Sequence, residues 1–216
     1  MLHWKSARTP EPGVDMSAHA HQASGLLAGT RIATDIGWRP AEGLCVGDRV
    51  MTFDNGLQPL RRISRRLCPG PSDGESVAQP LMVLAPGTAG NDGQLTLLPG
   101  QGVIHESDVA EARYGDPFAL LPAAALRPLG AVRAILTEAP VVAVSLGFDG
   151  DELVYAEGQA LLYCAGSTFE HPDTLEDALF GAPARYRMLP TEVGLALAAD
   201  VARQEPDGLS RTGSTP

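Results

Sequence analysis

The sequence predicts an all-β fold of short antiparallel strands, followed by a C-terminal helix. Short apolar segments rich in β-branched residues recur between residues 25 and 165, and Gly, Pro, Asn and Asp residues separate them. This spacing is typical of strands joined by tight turns. No alternation of strands with long helices is visible, and no glycine-rich phosphate loop of the GxGxxG or GxxxxGK type occurs. A nucleotide-dependent α/β enzyme is therefore disfavoured.

Length and charge limit the possible functions further. The 216 residues are enough for one domain with a sizeable core and flanking segments. The net charge of −10 argues against general nucleic-acid binding, which requires a basic surface. No apolar run approaches membrane-spanning length, so we expect no membrane partner.

Changes in composition divide the chain into four predicted parts. Residues 1–24 are polar and are expected to form a flexible leader, and residues 25–165 form the β-domain. Residues 166–204 form a helical extension, and residues 205–216 form a disordered tail.

The stretch from Leu27 to Leu67 predicts three strands and two tight turns. The turns, Asp35–Gly37 and Asp54–Gly56, each end on a glycine that can adopt the positive φ of a hairpin turn. The following segments predict further strands. Leu81–Leu84 is expected to be a buried strand.

The next predicted strand is Leu95–Leu98, which Pro99 and Gly100 stop, and Val103–Ile104 is expected to continue it. Asp116–Leu126 predicts a strand that enters a short helical turn. Ala139–Leu146 and Glu152–Ala156 predict a hairpin, because a Gly- and Asp-rich turn joins them. Nine apolar positions in the predicted strands are expected to be buried: Ile32, Leu44, Val50, Ile63, Val83, Leu97, Val142, Val144 and Val154.

Two helices are predicted in the extension. Asp173–Phe180 has a possible N-cap at Asp173 and acidic residues in its first turn. Pro190–Arg203 is the stronger candidate, because Val193, Leu197 and Val201 recur every four residues as an apolar stripe. We expect this stripe to dock on the β-domain.

The cysteines and the arginines have mainly structural interpretations. Three cysteines at irregular spacing match no zinc motif, and neither a metal nor a cofactor is predicted. Cys45 and Cys164 are expected to pack as small apolar residues, and Cys68 to be more exposed. Arg61, Arg62, Arg65 and Arg66 form a basic cluster. It either contacts an anion or, as we favour, discourages edge-to-edge pairing of a strand end.

The blocks Gly29–Thr34, Pro40–Thr52 and Asn55–Ile63 carry a family resemblance. Together they resemble the opening of a Hint domain, the module shared by hedgehog autoprocessing domains and inteins. The likeness is closest to the bacterial stand-alone branch. The resemblance implies a horseshoe-like all-β fold and an ancestry of protein self-cleavage.

The resemblance also implies where the chemistry should lie. Family members place a nucleophilic Cys four residues before the Gly of the first block, and a proton-donating His in a later "s-P-x-H" block. Here these positions are occupied by Gly25 and Gln101. Glycine has no side chain to attack a carbonyl, and a glutamine amide cannot transfer a proton near neutral pH. The sequence therefore predicts a domain inactive in self-cleavage that persists as a structural or binding module.

An active alternative uses neighbouring residues. Ser24 could attack as an oxygen nucleophile if the register is shifted by one residue, and His105 could serve if the strand bulges. A metal or small-molecule enzyme on a β-scaffold is a third hypothesis, which no ligand cluster in the sequence supports. A protein partner is possible but its identity is open. The predicted location is the bacterial cytoplasm by default, with secretion without a signal peptide left open.

Overall fold

The computed structural model describes residues 24–68, 80–137, 139–166 and 186–204, and the chain there is built mainly from short strands. The strands are β1 (Leu26–Leu27), β2 (Arg31–Thr34), β3 (Gly37–Pro40), β4 (Arg49–Thr52), β5 (Gly56–Pro59), β6 (Arg62–Cys68), β7 (Leu81–Leu84), β8 (Leu95–Leu97), β9 (Gly102–Glu106), β10 (Phe118–Pro122), β11 (Val132–Ile135), β12 (Val141–Gly147), β13 (Glu152–Ala156) and β14 (Ala160–Cys164). The helices are α1 (Asp108–Tyr114) and α2 (Thr191–Gln204), with single 3-10 turns at Ala41–Gly43 and Ala123–Leu126.

The strands form two antiparallel sheets. The first sheet has the order β11-β7-β8-β1-β12-β6. The second sheet has the order β10-β9-β14-β13-β2-β4-β5, and β3 pairs with β2 beside this path. The predicted all-β class with a C-terminal helix is thereby confirmed. The hairpin turns predicted at Asp35–Gly37 and Asp54–Gly56 are also present, and both terminal glycines have positive φ.

A two-residue strand at the start of the domain lies in the middle of the first sheet. In β1, Leu26 pairs with Leu97 of β8 on one side and with Val144 of β12 on the other. Both leucines of β1 are buried. The chain therefore enters the domain between two strands that come much later in the sequence, and this places Gly25 against β12.

Two strand pairings differ from the sequence prediction. β12 and β13 do not form a hairpin, because β12 pairs with β1 and β6 in the first sheet while β13 pairs with β14, β2 and β4 in the second. The turn between them crosses from one sheet to the other and buries Phe148. Val103–Ile104 likewise belongs to β9 of the second sheet rather than continuing β8.

The predicted core is largely confirmed. Seven of the nine predicted positions are buried, and Ile63 and Val142 are partly buried against the same core. Ile63 lies on β6, the last strand in the order of the first sheet, and Val142 lies on the neighbouring strand β12.

Helix α1 was not predicted from the sequence. The Ser107 hydroxyl accepts a hydrogen bond from the Ala110 N–H, and Gly115 ends the helix in the left-handed conformation. Both caps are visible in the sequence, but the helix has only seven residues and two of its side chains are buried. Its short length hides the helical periodicity.

The C-terminal helix α2 docks as predicted, on a slightly different face. Gly194, Leu197, Ala198 and Val201 are buried, whereas Val193 is 39 % exposed. The contact is close: a methyl group built on Gly194 would lie 2.8 Å from the Ala125 Cβ. The predicted helix at 173–180, residues 1–23 and the tail 205–216 lie outside the described residues, so the predicted domain boundaries stay predictions.

We expect Gly194→Ala to lower the free energy of unfolding by about 1–3 kcal/mol, because the added methyl group overpacks the contact with Ala125. This outcome runs against the higher helix propensity of alanine. Urea unfolding measures the effect. Gly130→Ala is the matched control, since a methyl group there meets no atom within 4 Å. Equal stability of the two variants would mean that α2 is not held closely against the domain.

Candidate functional site

The structure brings the two residues singled out from the sequence, Gly25 and Gln101, into direct contact. The Gly25 N–H donates a hydrogen bond to the Gln101 Oε1 at 3.0 Å, and both residues are buried. Gly25 precedes the central strand of the first sheet, and Gln101 precedes β9 of the second sheet. The contact therefore joins the two sheets at the point where the chain enters the domain.

The Gln101 amide is fully used by the backbone around it. Its Nε2 donates to the Gly102 carbonyl at 3.0 Å and to the Tyr163 carbonyl at 2.9 Å. These partners fix the orientation of the amide, because an N–H needs an acceptor and two carbonyls need donors. The group that faces the Gly25 nitrogen is therefore an oxygen without a proton.

The turn that carries Gln101 is itself held in place. The Gln101 N–H donates to the Leu98 carbonyl, and the Gln101 carbonyl accepts from Ala123 at the start of a 3-10 turn. Tyr163 is anchored on its other side by Asp151, whose carboxylate is a hydrogen-bond partner of the phenol. Burial and this carboxylate raise the pKa of Tyr163, so the phenol keeps its proton.

Gly25 adopts a backbone conformation that suits glycine. Its φ is +123°, a value that residues with a side chain rarely adopt. A methyl group built there would lie 3.4 Å from the Val144 carbonyl oxygen and 3.5 Å from the Ser145 Oγ, which are ordinary contact distances. Space for a side chain therefore exists at residue 25, but the present backbone conformation disfavours one.

The other side of the 24–25 peptide faces the basic cluster. The Ser24 carbonyl accepts a long hydrogen bond of 3.4 Å from the Arg66 Nη2. Ser24 itself is exposed. Gln101 and Arg66 thus contact the nitrogen and the oxygen of one peptide unit, from the second and the first sheet respectively. Sequence reasoning did not link Arg66 or Tyr163 to this site, because both contacts arise from long-range strand pairing.

Arg61 and Arg65 of the cluster bind protein acceptors. Arg61 forms a two-pronged ion pair with Asp149, which raises the pKa of Arg61, and the Arg65 Nη2 donates to the Glu42 and Leu44 carbonyls. The cluster spans Arg61 and the edge strand β6. This placement supports the interpretation that it discourages edge pairing rather than binds an anion.

His105 lies near the end of β9, the strand that follows the Gln101 turn. Four residues of extended chain span about 13 Å, which separates His105 from the Gly25–Gln101 contact. Its ring is buried beside the Thr88 backbone, and within the described chain its Nε2 has no hydrogen-bond partner. Burial lowers the pKa of His105, and the hydrogen bond with the Thr88 backbone opposes this shift more weakly. The structure does not place this ring at the 24–25 peptide.

The cysteines add no reactive group to the site. Cys45 is exposed, so the prediction that it packs in the core is wrong; it lies in the loop before β4 rather than in a strand. Cys164 is buried as predicted, and burial raises its pKa to about 12, which keeps the thiol protonated. Among the described residues, no group of three or more His, Cys, Asp or Glu side chains could hold a metal ion.

Comparison of the sequence with protein families decides the ancestry. The family model described as Hint domain matches residues 24–161, which is most of the chain. The chain belongs to the Hint domain family. The match begins at Ser24, next to the contact between Gly25 and Gln101, and it confirms the resemblance drawn from the first blocks of the sequence. No curated protein matches the sequence significantly.

Solved structures that resemble this Hint domain are inteins and intein-like domains. A bacterial intein-like domain from Clostridium thermocellum has 16 % sequence identity and a TM-score of 0.44, covering 65 % of this chain and 99 % of its own. A splice-inactive AceL NrdHF class 3 split intein has 12 % identity and a TM-score of 0.40, covering 67 % and 99 %. The gp41-1 intein has 11 % identity and a TM-score of 0.38, covering 65 % and 98 %. At these values the family assignment rests on the sequence match.

Substituting Gln101 by Leu should destabilise the Hint domain by about 2–4 kcal/mol. Leucine cannot pair with the buried Gly25 N–H or with the carbonyls of Gly102 and Tyr163, so these groups lose their partners. Urea unfolding gives the free energy, and amide hydrogen exchange at Gly25 gives the local effect. Gln94→Leu, at an exposed position, is the control and should change little. Unchanged exchange at Gly25 in the Gln101 variant would contradict the contact.

His105 should make the Hint domain less stable as the pH falls. Its pKa is lowered in the folded state, so below roughly 6.5 the unfolded chain binds a proton that the folded chain does not. The contribution of His105 to the free energy of unfolding is therefore fully present above this pH. It is lost as the pH falls toward the lower pKa of the folded state. His105→Leu should flatten the dependence between pH 8 and 5.5, measured as the free energy of unfolding. Parallel pH profiles for both proteins would argue against a buried neutral imidazole.

Proposed function

We propose that this Hint domain is degenerate for autocatalytic self-cleavage and acts as a structural or binding module. The observation that carries the proposal is the contact between the Gly25 N–H and the Gln101 Oε1. The contact supports the assignment of Gly25 to the family's nucleophile position and of Gln101 to its histidine position. The nucleophile and the proton donor must act on the same peptide bond, and these two residues are in contact at one peptide nitrogen.

The first missing element is the nucleophile. Self-cleavage begins when a side-chain thiol or hydroxyl of the residue after the bond attacks the preceding carbonyl, here that of Ser24. Gly25 has no such group, and its φ of +123° favours glycine. The covalent intermediate that would link the upstream chain to the domain cannot form at this residue.

The second missing element is the proton donor. When the bond to the Gly25 nitrogen breaks, that nitrogen must gain a proton, and a positioned general acid contributes about 10²–10⁴-fold to such steps. Gln101 presents an acceptor oxygen instead, and its own N–H groups are bound by Gly102 and Tyr163. The glutamine holds the nitrogen in place and cannot protonate it.

The same contacts support a structural role. Gln101 binds the Gly25 backbone as a neutral, fully paired amide, and Arg66 contacts the Ser24 carbonyl. The peptide that an active relative would cut is thus held between two side chains. A domain of this kind keeps its N-terminal connection intact and can serve as a rigid attachment for the chain before it.

The competing hypothesis is active self-processing by an N-to-O acyl shift with Ser24 and His105. It would require the exposed Ser24 hydroxyl to attack the carbonyl of residue 23, and the His105 ring to reach the adjacent nitrogen. The burial of His105 beside Thr88 and its distance along β9 from the Gln101 turn disfavour this arrangement.

We expect the purified full-length protein to keep its intact mass during expression and after incubation with thiol or hydroxylamine near neutral pH. Only uncatalysed amide hydrolysis remains, which is too slow to observe over days. Mass spectrometry of the unmodified protein gives the answer, and Ser24→Ala serves as the control. A fragment beginning at residue 24 or 25 that disappears in the Ser24→Ala variant would establish the active hypothesis instead.

A further inference from the structure

A group of three aromatic rings, two of them exposed, lies on the second sheet, away from the Gly25–Gln101 contact. The ring centroid of Phe53 is 6.3 Å from that of Phe118 and 6.3 Å from that of Tyr155. We call these three residues the aromatic patch. They come from three separate strands or strand ends, after β4, in β10 and in β13, so the patch depends on the tertiary fold.

The two phenylalanines of the aromatic patch are unusually exposed. Phe53 is 44 % and Phe118 40 % accessible to solvent. Aromatic residues make up only 5 % of the whole chain, and two of the three rings of the aromatic patch are exposed while Tyr155 is half-buried. Exposed aromatic clusters are characteristic of protein–protein interfaces, where they bury large rigid surfaces at low entropic cost.

Three acidic residues lie next to the phenylalanines of the aromatic patch, in sequence or across a strand pair. Glu106 is exposed and lies directly opposite Phe118 in the β9–β10 pairing. Asp116 lies two residues before Phe118 and accepts its N–H, and Asp54 follows Phe53 and accepts the Tyr186 hydroxyl. The phenylalanines therefore have acidic neighbours, in a chain with a net charge of −10.

This combination selects the chemistry of the partner. The faces of aromatic rings attract cations, and arginine can stack on a ring while it pairs with a carboxylate. An acidic partner surface would be repelled, which also disfavours a second copy of this acidic chain. An apolar residue beside the cation would cover the remaining ring surface.

We propose that the aromatic patch docks a partner protein segment that carries arginine beside an apolar side chain. The proposal goes beyond the proposed loss of self-cleavage and does not depend on it, since no residue is shared between the aromatic patch and the Gly25–Gln101 contact. It assigns a surface and a partner chemistry to the binding role of the module.

The test uses the full-length protein and the synthetic peptide Ac-Gly-Arg-Leu-Arg-Gly-NH2, followed by amide chemical shifts in two-dimensional NMR. Saturable shifts should concentrate at residues 53–55, 106, 116–118 and 155. A peptide with citrulline, the neutral isostere, in place of arginine should bind at least about tenfold more weakly. The double substitution Phe53→Ser with Phe118→Ser should weaken binding by a similar factor.

Two matched controls separate this site from general attraction to an acidic protein. Ile36→Ser with Trp38→Ser removes two exposed apolar side chains elsewhere and should leave the affinity unchanged. Glu106→Gln should weaken binding two- to threefold, whereas Glu111→Gln, which changes the net charge equally at an exposed position of α1, should not.

Two kinds of result overturn the proposal, as does the absence of saturable shifts at the aromatic patch. Shifts spread over the acidic surface, or equal effects of Glu106→Gln and Glu111→Gln, indicate non-specific attraction. Self-association that Phe53→Ser with Phe118→Ser abolishes would identify a second copy as the occupant. If the double variant loses its dispersed spectrum, the single Phe118→Ser variant, altered at an exposed position, replaces it with the same expected direction.

Discussion

The hydrogen bond between the Gly25 N–H and the Gln101 Oε1 is the constraint on which the arrangement of this Hint domain depends. It fixes the residue that precedes the central strand of the first sheet to the turn that opens β9 of the second. The Gln101 amide also donates a hydrogen bond to the Tyr163 carbonyl, so the same side chain holds β14. One neutral side chain thus satisfies three backbone groups in a buried region, where each would otherwise be costly. A catalytic histidine, which must change its protonation state, could not serve this purpose so completely.

Much of the fold could be predicted from the sequence because its signals are local. The turns ending on Gly37 and Gly56 and the apolar strand positions depend on spacing and residue type alone. The errors in strand pairing share one cause. β12 and β13 are adjacent in sequence and each has strand character, but the edges of β12 are already occupied by β1 and β6. Local patterns cannot reveal which edge is free, so the predicted hairpin was wrong.

The candidate site was predictable in its parts and not in its geometry. The resemblance to Hint domains singled out Gly25 and Gln101 by motif position, and the structure brings the two residues into contact. The orientation of the amide, the positive φ of Gly25 and the approach of Arg66 depend on distant strands. The aromatic patch was equally hidden, because its three rings come from parts of the chain that no local pattern connects.

The central position of β1 also has a consequence for how the protein folds during synthesis. Leu26 leaves the ribosome well before its partners Leu97 and Val144, which follow much later in the chain. The first sheet therefore cannot close until β12 has been made, and the entropic cost of these long loops must be met before β1 is held. The two buried leucines of β1 stay without partners throughout this interval. During this interval the two leucines can associate with other exposed apolar chains, and rapid completion of the chain shortens that exposure.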